Sequence, residues 1–61
     1  MKTLTVPGDP ESVRAIMVSK TEQFHDHDIV RIDSADGGKT VEKRIFRIVD
    51  GGEDHWELQF E

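Results

Sequence analysis

His25-Asp26-His27-Asp28 is the stretch of this 61-residue chain best equipped for chemistry. In an extended backbone His25 and His27 project to one side, and Asp26 and Asp28 to the other. Imidazole nitrogens with carboxylate oxygens suit zinc, nickel or copper. The third histidine, His55, follows Asp50, Glu53 and Asp54 in a second acidic segment. A divalent-metal module built on His25, His27 and His55 is therefore one functional reading. It competes with a simpler one, in which Asp26, Asp28, Asp50, Glu53 and Asp54 form an acidic end that meets a basic protein.

Other motifs fall away on inspection. Gly38-Lys39-Thr40 ends like a phosphate-binding loop, but Asp33 stands where the first glycine belongs and a strand-like segment follows. No serine has a recognisable base and orienter, and the chain has no cysteine for thiol catalysis, thiolate metal sites or disulfides. Paired carboxylates lie in turns, without the apolar burial that raises one pKa for acid catalysis. The expectation is a non-enzyme with no required cofactor, zinc or another divalent transition metal being the alternative.

Charge narrows the partners. The net charge is −5, with +1 over residues 1–21, −4 over 22–38, +3 over 39–49 and −5 over 50–61. An acid excess opposes direct binding to nucleic acid or anionic membrane, where Lys and Arg supply the affinity. No apolar run approaches the roughly 20 residues that span a bilayer, and Met1-Lys2-Thr3 leads into no signal-peptide core. A cytoplasmic protein with a protein partner is expected.

The elements that must position these groups follow from periodicity. Lys2 to Val6 alternates as a short strand that Pro7-Gly8 ends. Asp9-Pro10-Glu11 is a helix-start signal, and Val13, Ile16, Met17 and Lys20 fall at i, i+3, i+4 and i+7, which predicts a helix over residues 10–23 with Phe24 packed beneath its end. Ile29 to Asp33, Thr40 to Val49 and His55 to Phe60 read as strands, joined by turns at Ser34–Gly38 and Asp50–Glu53. The predicted fold is a single α+β domain over residues 1–61, with β-α-β-β-β order and one helix packed on a mostly antiparallel four-stranded sheet.

Unbroken alternation points Val30, Ile32, Phe46, Ile48, Trp56, Leu58 and Phe60 at the helix. Ile29, Val41, Ile45 and Val49 then share the other face with Arg31, Lys43 and Arg47. So small a chain without staples gains from association, so a homodimer or partner-bound chain using Ile29, Arg31, Ile45 and Arg47 is expected. The sequence thus reads as a protein-interaction module, a regulator or inhibitor, acting through its acidic end or this sheet face. Strand addition at the Leu4–Val6 or Trp56–Phe60 edge is a further mode.

Overall fold

The computed structural model describes residues 1–61 and contains five strands and no α-helix: β1 (Thr3–Val6), β2 (Ala15–Ser19), β3 (Ile29–Ser34), β4 (Thr40–Asp50) and β5 (His55–Phe60). They form one mixed sheet in the order β1-β3-β4-β5-β2, curled into a half-barrel. β1 runs parallel to β3, and every other pairing is antiparallel. The helix-on-sheet α+β arrangement is therefore wrong.

The start signal of the expected helix is real, but it drives only one turn. Asp9 Oδ1 accepts the Glu11 N–H at 2.9 Å, Pro10 opens a 3-10 turn over Pro10–Ser12, and Val13 is already extended at φ −71°, ψ 127°. Beyond it the chain joins β5 over five residues, from Ala15 opposite Gln59 to Ser19 opposite His55. Ile16 and Val18 turn inward while Ala15 and Met17 face out, a period of two. Val13, Ile16 and Val18 are β-branched and suit a strand, and β5 supplies the hydrogen bonds that a helix would have made internally.

A β-bulge in β4 corrects the facing of the longest strand. Ile45 pairs with Phe60 and Arg47 with Gln59, which leaves Phe46 as the extra residue. One inserted residue reverses the in-out phase beyond it. Val41, Lys43 and Ile45 point inward before the bulge, and Ile48 does so after it. Ile45 is fully buried, not on an open face, whereas Phe46 is 48% exposed, not under a helix.

The core comprises Val6, Val18, Val30, Ile32, Ile45, Leu58 and Phe60, flanked by Leu4, Val13, Ile16, Phe24, Val41, Ile48 and Trp56. Buried Pro10 sets the 3-10 turn against β3 and β4. Lys43 holds it there: Nζ donates to the carbonyls of Glu11 and Val13, each at 2.7 Å. Lys39 adds an ion pair to Glu11 at 2.7 Å, which raises the lysine's pKa above its usual 10.5, helped by Asp9 nearby.

Candidate protein interface

The two halves of β4 have different neighbours, and this decides where the histidines lie. β3 pairs with Thr40–Arg44, whereas β5 pairs with Ile45–Asp50. The residues before β3 therefore arrive at the middle of β4: the His27 N–H donates to the Ile45 carbonyl at 2.7 Å, and the Ile45 N–H to the Asp28 carbonyl at 2.8 Å. His55, next to the Asp50–Trp56 pair, lies five residues of β4 further on, roughly 16 Å at about 3.3 Å per residue. The convergence of His25, His27 and His55 that a metal module on them requires is not present, and no three His, Asp or Glu side chains converge on a common point.

Two of the five acids, Asp28 and Asp50, have local work. The His25 N–H donates to Asp28 Oδ2 at 3.0 Å, and His25 Nδ1 lies 3.5 Å from the same oxygen. His27 takes the left-handed conformation, φ 73°, that lets the chain enter β3. Asp50 Oδ1 accepts the Gly52 N–H and the Lys20 ammonium, both at 3.0 Å, which together hold its pKa below 3.8. Asp26 and Asp28 stand with β3, whereas Asp50, Glu53 and Asp54 stand with the β4–β5 turn. The acids form two separate patches, not one end.

The outer face of the sheet is built differently. Ile29 is 45% exposed and lies opposite Arg44, and Met17 is 49% exposed opposite Glu57. Between them in the sheet order, the bulge lifts Phe46 out beside Arg47, whose cross-strand partner Gln59 pairs in turn with Ala15. Arg14, Ala15, Phe46, Gln59 and Phe60 line a shallow groove of about 290 Å³ there.

The bases divide sharply. Lys2 pairs with Glu22, Lys20 with Asp50, Arg31 with Asp33, and Lys39 with Asp9 and Glu11, while Lys43 binds the two carbonyls of the 3-10 turn. Arg14, Arg44 and Arg47 make no ion pair, and all three are exposed. Arg44 and Arg47 flank Phe46 along β4, and Arg14 lines the same groove as Phe46.

Of the face expected from the sequence, Ile29, Arg31 and Arg47 are exposed and Ile45 is in the core. Arg14, Met17, Arg44 and Phe46 were missed. The Arg44-Ile45-Phe46-Arg47 run carries the signal for two of them, because Arg44, two before Phe46, and Arg47, one after it, cannot both face out with Phe46 unless the alternation breaks. No protein family, curated protein or solved structure matches this chain. No helix is long and apolar enough to cross a membrane.

Proposed function

We propose that this chain is a non-enzymatic protein-interaction module, a regulator or inhibitor of the cytoplasm, which binds an acidic protein surface through the outer face around Phe46. One observation supports the reading: an exposed aromatic on a bulge, flanked along β4 by Arg44 and Arg47 and sharing a groove with Arg14, the three arginines without an internal ion pair. Aromatic and arginine side chains are the commonest interface anchors, and β-bulges recur where a side chain must be re-aimed. Ile29 extends the apolar contact on one side of Arg44, and the Ala15–Gln59 groove receives a partner side chain on the other. The partner would offer an apolar residue for the groove and carboxylates for Arg14, Arg44 and Arg47.

The test is capture by the immobilised chain, identification of the captured protein, and rebinding of that protein after purification. Phe46→Ala should weaken the purified pair by about 30-fold, the scale of a hot-spot residue worth about 2 kcal/mol. Arg47→Glu should slow association and reduce its dependence on salt. Charge reversal at Asp26 and Asp28 should leave affinity within twofold. The opposite pattern, loss on reversing Asp26 and Asp28 with Phe46→Ala silent, would move the interface to the acidic loop.

A further inference from the structure

β2 lies at an edge of the sheet, and its free side has a definite composition. It pairs only with β5. The Phe60 N–H donates to the Arg14 carbonyl, and the Lys20 N–H to the Asp54 carbonyl, both at 2.9 Å. Antiparallel ladders alternate, so residues 14, 16, 18 and 20 turn their backbone groups toward β5. Ala15 and Met17 turn theirs away, and neither finds a partner elsewhere in the molecule. Ser19 also points outward, but its carbonyl already accepts the Glu22 N–H, which ends the free edge.

Natural edges are blunted by charge, proline or a bulge. Ala15-Ile16-Met17-Val18-Ser19 has none of these, and no acid occurs anywhere from Ser12 to Thr21. Cations stand at both ends, Arg14 without an ion pair and Lys20 shared with Asp50. The other edge, β1, is one residue shorter and runs straight into Pro7.

We infer that the β2 edge accepts an extended segment of another protein as a sixth, antiparallel strand, with one acidic residue opposite Arg14 and another, six positions away, opposite Lys20. The backbone of the incoming strand, about 4.8 Å away, would bond to Ala15 and Met17. Arg14 and Lys20 then occupy non-hydrogen-bonded positions, where cross-strand side chains approach most closely. The positions opposite Ile16 and Val18 take apolar residues that extend the core. A second copy of this chain is the poorer occupant: antiparallel pairing of two β2 strands about Met17 sets Arg14 against Lys20 at both ends, and like charges directly opposite are destabilising. The inference rests on reading the chain as a protein-binding module, but not on Phe46.

The probe is a capped synthetic heptapeptide, Glu-Thr-Val-Thr-Val-Thr-Glu, added to the full-length chain, with amide hydrogen exchange followed by NMR. Exchange at Ala15 and Met17 should slow at least tenfold at saturation, and a Lys-ended analogue should bind at least tenfold more weakly. Ala15→Pro replaces an N–H that the fold does not use, so it should keep the fold and abolish binding. Should that variant not fold, Arg14→Glu serves instead and should shift preference toward the Lys-ended peptide. Equal binding of the two peptides would overturn the proposal, as would protection of Ala15 and Met17 that rises with chain concentration alone. Phe46→Ala should leave peptide affinity within twofold. If it abolishes binding while Ala15→Pro does not, the peptide sits in the groove; the edge proposal then fails and the Phe46 interface stands.

Discussion

Asp36 shows how one side chain organises a turn. Its Oδ1 accepts the Ser34 hydroxyl at 2.7 Å and the Gly38 N–H at 2.8 Å, while the Lys39 N–H donates to Ser34 Oγ at 3.0 Å. These bonds favour the carboxylate, so its pKa falls below the usual 3.8. Asp33 is lowered in the same way, first by the Arg31 guanidinium and then by the Thr40 hydroxyl. A carboxyl with a depressed folded-state pKa contributes stability above its unfolded value, and that contribution is lost as pH falls through the folded value. Asp36→Asn should therefore be less stable than the parent near pH 6, and the gap should close below about pH 3. Urea midpoints across this range test the expectation; a gap independent of pH would show that shape, not charge, is what the turn requires.

At the scale of elements, the bulge makes adjacent residues of β4 opposites. Ile45→Ala should cost about 2–5 kcal/mol, the range for a large buried aliphatic side chain, while Phe46→Ala should stay within about 0.5 kcal/mol. Urea denaturation separates this from unbroken alternation, which reverses the order. Strands β1, β3, β4 and β5 and both turns were legible because period-two patterning and Asp-Gly-Gly chemistry are local signals. The region 13–20 was not, because Val13, Ile16 and Met17 satisfy a helical stripe while Ile16 and Val18 satisfy a strand, and only pairing with distant β5 decides between them. The bulge was illegible for a related reason: the register between Phe60 and Gln59 on one strand and Ile45 and Arg47 on the other is set across the sheet. The candidate face was read in part, Ile29, Arg31 and Arg47 being exposed, while Phe46 and the freedom of three arginines emerged only once every other base had found its partner.

For the molecule as a whole, pairings join distant parts of the chain. Thr3 lies opposite Arg31 and Ala15 opposite Gln59, in a body of 32 × 20 × 19 Å. Such non-local topology delays the return on loop closure, so refolding should take milliseconds to seconds, slower than helical domains of this size. Stopped-flow fluorescence of Trp56, which pairs with Val18 and Asp50, reads the step that brings β2, β4 and β5 together. A microsecond phase carrying the whole amplitude would contradict that timescale.

The position of β5 between β4 and β2 also matters during biosynthesis. The strand made last of the five is the one that fills the middle of that half of the sheet. Translation proceeds at about 5–20 residues per second, so β2 emerges and then spends a few seconds without β5, its one neighbour. Throughout that interval both its margins are open, and Arg14 and Lys20, just outside the strand, are the only charges from Ser12 to Thr21 that oppose premature pairing. Exchanging Arg14 for a neutral residue would leave every ion pair of the finished sheet in place and the nascent chain more exposed.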